Sequence, residues 1–219
     1  MSAPGSIDPA IHAELEAVYA YYAALARDLD AESGLGGKLL YAGELDQDGA
    51  RLVRAANIAG AASFSAASDA AMQRAAIRDG IVDFLVTSLD EALRILKNEI
   101  RKRNGVSVAV TAPSARLIRE MTERGVLPDL LRETGAADVL LSQGAQTVHA
   151  SVKPDGHSLA VFQSPSAEFE SRALRLIPED DHVARRWLRL SHRYLGPQAR
   201  RIRSICCDRA TAKKLMADA

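Results

Sequence analysis

Short apolar runs alternate with amphipathic segments from residue 38 to residue 125, and this alternation constrains the fold more than any other feature of the chain. The apolar runs have the length of β-strands, and the segments between them carry apolar residues at helical spacing. Strands that are separated by helices pair in parallel, because a parallel connection needs a long crossover. We therefore predict an α/β fold with a doubly wound, mostly parallel sheet covered by helices on both faces.

The boundaries of several predicted elements are marked by capping residues. Asp8 is predicted to cap an N-terminal helix, and Ser88 is predicted to cap the strongest helix of the chain. Asp69 is predicted as the N-cap of the helix that follows the second strand. The strongest strand signal is IVDFLVTS, residues 81–88, and a further strand is expected around DVLLSQ, residues 138–143.

The pattern changes at about residue 143, and this change suggests a division of the chain. Residues 1–142 are assigned to a sheet domain with an N-terminal helix, and residues 143–219 to an extension packed on that domain. Two alternating runs flank the Pro-Asp-Gly turn at 154–156, which indicates a C-terminal β-hairpin. His149 and His157 flank this turn and are interpreted as surface histidines, although a facing pair of ligands or acid–base groups is the alternative.

A basic amphipathic helix is expected in the C-terminal tail. The chain from His182 to its end has ten Lys or Arg residues and two acidic residues, although the whole protein has zero formal net charge. Trp187 and Tyr194 lie on the apolar face of this helix, which indicates burial rather than stacking on bases. Nucleic acid is therefore disfavoured as a partner, and we expect docking within the chain or between the subunits of a homodimer.

Composition and cysteine spacing indicate the compartment. No apolar run reaches the length of a bilayer, and no secretory signal is visible at the N-terminus. Cys206 and Cys207 are adjacent, and adjacent cysteines pair only through a distorted ring, so two free thiols in a reducing compartment are expected. We therefore predict a cytoplasmic protein with no membrane partner.

The loop after the first predicted strand occupies the position where doubly wound folds bind ligands. Gly43 and Gly49 could shape the turn, and the helix that follows would offer backbone N–H groups to a phosphate. Glu44, Asp46 and Asp48, however, would place carboxylates beside that phosphate, and each such contact costs about 1 to 4 kcal/mol. A dinucleotide would therefore be repelled from this loop.

The same acidic residues support an alternative hypothesis, in which the chain is a lyase-like or hydratase-like enzyme. The acidic loop would hold a divalent metal or act in acid–base chemistry, with Arg51 and Asn57 nearby for substrate contacts. The simpler interpretation is a solvated acidic loop. The candidate ligand-binding residues are Gly43, Glu44, Asp46, Asp48, Gly49 and Arg51.

Several segments between residues 10 and 135 together resemble the NAD-binding, Rossmann-like domain of urocanase (urocanate hydratase). These segments are GGKLLYAGELDQDGA, IAGA at 58–61, IRDGIVDF, SLDEALRI and MTERGVLPDLL, and their order and spacing also agree. The resemblance implies a Rossmann-like fold and suggests NAD as the cofactor.

The sequence departs from urocanase at the positions that the resemblance assigns to NAD contacts. Leu45 and Asp46 stand at glycine positions of the phosphate loop, and Ala67 stands where the family has an acid. Ala112-Pro113 replaces a Gly-Asn pair, and residues 132–136 replace a Thr-Asp-Gln-Thr-Ser stretch. Framework residues are kept at Gly60, Gly80, Asp83, Gly125, Pro128 and Asp129. We therefore expect no cofactor, no urocanate hydratase activity, and a role in binding a small ligand or a protein partner.

Overall fold

The computed structural model describes residues 7–132, 137–151, 153, 156–163, 165–166 and 168–217. Within these ranges, six parallel strands form one sheet and two further strands form an antiparallel pair. The strands are β1 (Leu39–Glu44), β2 (Ala62–Ala66), β3 (Phe84–Val86), β4 (Val106–Val110), β5 (Leu130–Arg132), β6 (Gln146–Val148), β7 (His157–Gln163) and β8 (Ile202–Asp208). The helices are α1 (Pro9–Leu25), α2 (Gln47–Ala59), α3 (Ala70–Arg78), α4 (Leu89–Arg101), α5 (Ser114–Glu123), α6 (Asp138–Ser142), α7 (Phe169–Leu176), α8 (His182–Tyr194) and α9 (Arg209–Ala217).

The sheet has the doubly wound arrangement that the alternation of elements predicts. Its strand order is β3-β4-β2-β1-β5-β6, so the chain extends the sheet to one side of β1 before it crosses to the other side. All five pairings within this sheet are parallel. The fold class predicted from the sequence is therefore confirmed.

Two helical layers bury the central strands. Along β1, Leu40 and Ala42 face the layer that contains α1 and α2, whereas Leu39 and Tyr41 face the layer that contains α4 and α5. Successive side chains of a strand point to opposite faces, and both faces of this strand are covered. This explains why the strand is apolar along its whole length.

The predicted helix caps are present. The Asp69 side chain accepts a hydrogen bond from the Met72 N–H at 2.7 Å, and the Ser88 hydroxyl accepts one from the Glu91 N–H at 3.3 Å. Asp8 caps α1 in the same way. Each cap satisfies an N–H group that the helix itself cannot pair.

The strand predicted over residues 81–88 is present but is shorter than predicted. Only Phe84–Val86 pair with β4, and this short strand forms an edge of the sheet, where Phe84 is 47% exposed and Leu85 is 37% exposed. Ile81 and Val82 are buried in the turn that precedes it. Strand propensity indicates that the residues of a segment suit a half-buried surface of a sheet. It does not indicate how many of those residues pair with a neighbouring strand.

The C-terminal antiparallel pair is confirmed, but only one of its strands, β7, flanks residues 154–156. The run at Gln146–Val148 joins the parallel sheet beside β5, and β7 pairs with β8 instead. Pro154 and Asp155 lie outside the described residues. The expected strand at residues 138–143 is also wrong, because Asp138–Ser142 form helix α6.

Because β6 and β7 belong to different sheets, His149 and His157 do not face each other across a hairpin. His157 pairs in register with Asp208 of β8. The tail, expected to be helical, therefore contains a seven-residue strand as well as α8 and α9. A local alternating pattern indicates a strand but does not identify its partner.

The apolar face of α8 is buried as expected. Trp187 is completely buried and packs on Tyr19 and Tyr22 of α1, with ring centroids 4.9 and 5.2 Å away. Its indole N–H donates to the Ser204 hydroxyl of β8 at 3.0 Å. The helix therefore docks within the chain, and its tryptophan is not accessible for stacking on bases.

Two arginines join α2 and α8 through the carbonyl ends of these helices. Arg186 donates from Nε to the Ile58 carbonyl in the last turn of α2 at 2.7 Å. Arg54 donates from Nη1 to the Tyr194 carbonyl at the end of α8 at 3.1 Å. The last carbonyls of a helix have no partner within it, so each guanidinium satisfies a group that would otherwise remain unpaired.

The cysteines of β8 are free and buried. Cys206 faces the side of Trp187, whereas Cys207 faces the cluster formed with α7 and α9. Burial raises the pKa of Cys207 to about 11. The thiol is therefore protonated at neutral pH, which disfavours a reactive role. None of the described helices is both long enough and apolar enough to cross a bilayer.

Candidate functional site

The crevice between the carboxyl ends of β1 and β5 is the point where strand order reverses. These two strands are adjacent, with Leu40 opposite Leu130 and Tyr41 opposite Leu131. β1 ends at Glu44 and β5 ends at Arg132, so both residues reach the same edge of the sheet. Open α/β sheets bind ligands in crevices of this kind.

The two glycines of the first loop bring α2 close to the end of β1. Gly43 has a φ of +73°, which favours glycine, and it lies at an irregularity in the pairing of β1 with β2. At Gly49, a Cβ atom would stand 2.1 Å from the backbone oxygen of Glu44. The start of α2 therefore approaches β1 so closely that no side chain fits between them.

Asp46 caps α2 and forms an ion pair across the crevice. Its Oδ1 accepts a hydrogen bond from the Gly49 N–H at 2.8 Å. The Arg132 guanidinium donates to both carboxylate oxygens, at 2.5 and 3.0 Å, and also to the Glu44 carbonyl at 3.2 Å. Burial acts to raise the pKa of Asp46, but the hydrogen bonds from Arg132 and Gly49 outweigh it, so the net pKa is lowered.

Glu44 joins three loops at the same edge of the sheet. One carboxylate oxygen accepts hydrogen bonds from the N–H and hydroxyl of Ser68, at 2.8 and 2.5 Å. The other accepts the N–H of Ser114, the first residue of α5, at 3.0 Å. Pro113, at the N-cap of α5, contributes no capping side chain. Glu44 therefore satisfies an N–H at the start of α5, as Asp46 does for α2.

Asp48 and Arg51 are oriented toward α1. Arg51 donates to Glu14 of α1 from Nε and Nη2, at 2.9 and 2.8 Å. It also donates to the exposed Asp48 carboxylate at 3.1 Å. Of the six candidate ligand-binding residues, Gly43, Glu44, Asp46 and Gly49 thus lie at the crevice and Asp48 lines a cavity beside it, whereas Arg51 ties α2 to α1.

A cavity of about 380 Å³ opens beside the Asp46–Arg132 pair. Tyr21 of α1 and His149, which follows β6, contribute to its walls together with Asp48. The charged groups on the cavity are two carboxylates and one guanidinium. The cavity is therefore small and polar, and its walls carry more negative than positive charge.

The three acids of the loop are directed to different partners. Glu44 faces the Ser68 and Ser114 groups, Asp46 faces Arg132, and Asp48 faces Arg51. No group of three or more His, Cys, Asp or Glu residues that could hold a metal occurs in the described part of the chain. The acidic loop thus does not assemble the metal donor set that the enzyme hypothesis would use.

Asn57, considered as a substrate contact, is used in the core instead. Its side-chain amide is buried and donates to the Ile81 carbonyl and the Ser107 hydroxyl, both at 3.2 Å. Ser107 is in turn bonded to the Asp83 carboxylate at 2.8 Å. Asn57 and Asp83 therefore hold α2 and the turn before β3 against β4.

A family model described as the urocanase Rossmann-like domain matches residues 15–151, which is more than half of the chain. The chain belongs to the urocanase family through this domain. The matched urocanase domain begins in α1 and ends just after β6, so it includes the complete parallel sheet and the crevice. The segments β7, α7, α8, β8 and α9 lie beyond the match.

The positions that the resemblance to urocanase assigns to NAD contacts cluster around the crevice. Ala67 follows β2, Ala112-Pro113 follows β4, and Arg132 ends β5. All of them lie at the carboxyl edge of the urocanase sheet, where Asp46 also stands. Ala67 and Ala112 are buried, so neither presents a polar group to a ligand.

Sequence reasoning did not assign Arg132, Tyr21 or His149 to the site. Arg132 is carried by a strand of only three residues, too short to give a periodic signal. The resemblance to urocanase nevertheless offered a signal, because it assigns residues 132–136 to a stretch that contacts NAD. Tyr21 reaches the crevice only through the packing of α1 on α2.

Replacing Asp46 with asparagine is expected to lower stability in a pH-dependent way. Asparagine also caps helices, so the substitution mainly removes the charge. The pKa of Asp46 is lower in the folded protein than the value of about 3.9 in an unfolded chain. The ionised carboxylate therefore stabilises the folded state fully above about pH 4, and this stabilisation is lost as the pH falls through the folded pKa. Since the side chain is 55% exposed and partly screened, we expect a difference of about 1 kcal/mol at pH 7.

Urea unfolding of the native protein and Asp46→Asn at pH 7, 5 and 3 measures this difference. Glu123→Gln is the control, because its weak pairing with Arg119 at 4.0 Å is highly exposed. A difference for Asp46→Asn that is as large at pH 3 as at pH 7 would show that the charge is not the cause.

Proposed function

We propose that this urocanase-like domain has lost ordinary NAD binding and urocanate hydratase activity, and that it binds a small ligand at the crevice. The proposal rests on one observation, which is that carboxylates of the protein itself accept hydrogen bonds from N–H groups at the N-termini of two helices. Asp46 engages an N–H of α2, and Glu44 engages an N–H of α5. These N–H groups are the donors that a pyrophosphate would require.

The residues present do not fit a dinucleotide. A phosphate at the start of α2 would have to displace Asp46 from Gly49, and it would meet the negative charge of Asp46 and Asp48. Arg132 could attract an anion, but its guanidinium is 13% exposed and already bonds both oxygens of Asp46. NAD remains the alternative that the family suggests, and the experiment below includes it.

The cavity next to the ion pair supports a small ligand with a positive group. Its volume of about 380 Å³ is at the low end of the range for small-molecule sites. Asp48 is exposed and can accept a hydrogen bond from an amine, whereas Arg132 can bond a carboxylate if Asp46 turns away. A compact amine or zwitterion therefore matches this cavity better than a nucleotide.

A thermal-shift panel tests the proposal with NAD, NADH, AMP, Mg²⁺, Mn²⁺, imidazole compounds, ethanolamine and glycine at millimolar concentration. We expect no stabilisation by NAD, NADH or AMP, and stabilisation by at least one amine or zwitterion. Asp48→Asn should abolish that stabilisation, because it removes the exposed carboxylate of the cavity. Asp90→Asn, which removes an exposed acid from α4 outside the cavity, should retain it.

Two results would contradict the proposal. Stabilisation by NAD at ordinary micromolar affinity would show that the cofactor site still operates. Stabilisation by a divalent metal alone would favour the hypothesis of an enzyme that uses the acidic loop.

We also propose a homodimer in the cytoplasm. The support for the dimer is the edge strand β3, which leaves Phe84 and Leu85 exposed near Ile77 of α3. An unpaired strand edge is satisfied by another strand, and a two-fold axis would place the same apolar residues opposite each other. The pair of free, adjacent cysteines supports the cytoplasm as the compartment.

A further inference from the structure

A second cleft, of about 480 Å³, lies in the C-terminal part of the chain outside the urocanase match. One wall is formed by Pro165, Ser166 and the start of α7, where Phe169 lies. The other wall carries Arg200, Arg201 and Arg203. This cleft is unrelated to the crevice, and the inference drawn from it does not depend on the proposed function.

The local backbone brings the three arginines to one place. Arg200 and Arg201 end a 3₁₀ turn at Pro197–Arg201, and Arg203 is the second residue of β8. The Arg203 guanidinium donates from Nη1 to the carbonyls of Arg200 and Ile202, at 3.2 and 3.0 Å. One side of this guanidinium is therefore held by the backbone, and its other N–H groups donate to none of the described residues.

The cleft carries an uncompensated positive charge. Within the described residues, none of the three guanidinium groups forms an ion pair, and Glu170 is the one acid on the cleft walls. In contrast, Arg132 at the crevice and Arg51 of α2 are both paired with carboxylates. Like charges held this close repel each other, and a bound anion relieves the repulsion.

A neighbouring histidine responds to the same positive charge. The pKa of His192 is lowered to about 4, first by burial and then by the charges of Arg203 and Arg193. The imidazole is therefore neutral at physiological pH, and its buried Nδ1 has no hydrogen-bond partner in the described part of the chain. His192 therefore adds no positive charge of its own beside Arg203.

We propose that this cleft binds a compact dianion, either a phosphate monoester or a dicarboxylate. Guanidinium groups form paired hydrogen bonds with the oxygens of such anions, and the Ser166 hydroxyl can donate one more. Pro165 and Phe169 give the cleft an apolar wall for the remainder of the ligand. The volume fits a small molecule, whereas a nucleic-acid strand would need a longer groove.

Calorimetric titration at low ionic strength tests the proposal with phenyl phosphate, succinate and benzoate at pH 8. We expect saturable binding with a stoichiometry of one for phenyl phosphate or succinate, and binding of benzoate weaker by about tenfold. The relative affinity of the first two probes identifies the type of anion.

Three variants locate the binding. Arg201→Gln, at an exposed position, should weaken dianion binding by about tenfold. Glu170→Gln removes the acid from the cleft and should strengthen binding. Arg189→Gln is the matched control, because it removes an exposed arginine of α8 that does not line the cleft, and affinity should change less than twofold.

Absence of saturable binding for every probe would overturn the proposal, as would an equal loss of affinity in Arg201→Gln and Arg189→Gln. Tighter binding of a single-stranded oligonucleotide than of either dianion would also overturn it, in favour of a nucleic-acid surface. The gain expected for Glu170→Gln keeps the test valid if Arg201→Gln folds poorly.

Discussion

Replacing Trp187 with alanine is expected to lower the free energy of unfolding by about 3 to 5 kcal/mol. The indole is completely buried between α1 and β8, in edge contact with Tyr19 and in tilted contact with Tyr22. Truncation removes both ring contacts, leaves a cavity, and deprives the buried Ser204 hydroxyl of its donor. Denaturant unfolding followed by circular dichroism measures the loss.

Two further substitutions separate the contributions of the ring and of its N–H group. Trp187→Phe retains an aromatic ring but loses the hydrogen bond to Ser204, and we expect a loss of about 1 to 2 kcal/mol. Arg189→Ala, on the exposed side of α8, should change stability by less than about 0.5 kcal/mol. If Trp187→Ala cost no more than Arg189→Ala, α8 would not be docked on α1 in solution.

Replacing Gly49 with alanine is expected to destabilise the protein by about 2 to 3 kcal/mol. Alanine normally stabilises a helix by about 1 kcal/mol relative to glycine, so the expected sign is opposite to helix propensity. A Cβ at this position would stand 2.1 Å from the Glu44 oxygen and 3.1 Å from the Glu44 carbonyl carbon. Both are backbone atoms at the end of β1, so they cannot move without disturbing the central strand.

Gln47→Ala is the control, since it changes the first residue of the same helix at an exposed position and should alter stability by less than about 0.5 kcal/mol. Thermal and urea unfolding of the native protein and both variants provide the comparison. A Gly49→Ala protein as stable as the native protein would contradict the close approach of α2 to β1, and with it the geometry of the crevice.

The helix starts that are marked by capping residues were predicted correctly. The capping residues Asp8, Asp69 and Ser88 mark the starts of three helices, and each makes the expected hydrogen bond. These bonds join residues two or three positions apart, so they are determined by adjacent sequence. The parallel sheet follows for a similar reason, because strands connected by helices have few other ways to pair.

Errors occurred where an element depends on distant partners. IVDFLVTS has strong strand character, but only three of its residues pair with β4 because the sheet ends there. β7 finds its partner in β8, almost forty residues further along the chain, rather than in the run before it. Neither outcome can be derived from periodicity, which describes one segment at a time.

The candidate site shows the same difference between features that depend on adjacent residues and features that depend on distant ones. The loop glycines and the acids Glu44 and Asp46 were identified from the sequence, because they follow the first strand directly. Arg132 was not identified, since it lies 86 residues after Asp46 and meets it only when β5 pairs with β1. The loop acids had been expected to repel a phosphate or, as the alternative, to hold a metal or act in acid–base chemistry. Their hydrogen bonds to the starts of α2 and α5 became visible in the folded chain.

The sequence by itself determined the class of sheet, the starts of the capped helices and the loop that carries the candidate site, because these depend on interactions between near neighbours. Only the tertiary structure decided which groups the loop acids contact, where the tryptophan of α8 is buried, and which arginines of the tail share a cleft. These features arise from chain segments that are remote in sequence and meet through packing, and packing depends on the shape and volume of every element at once.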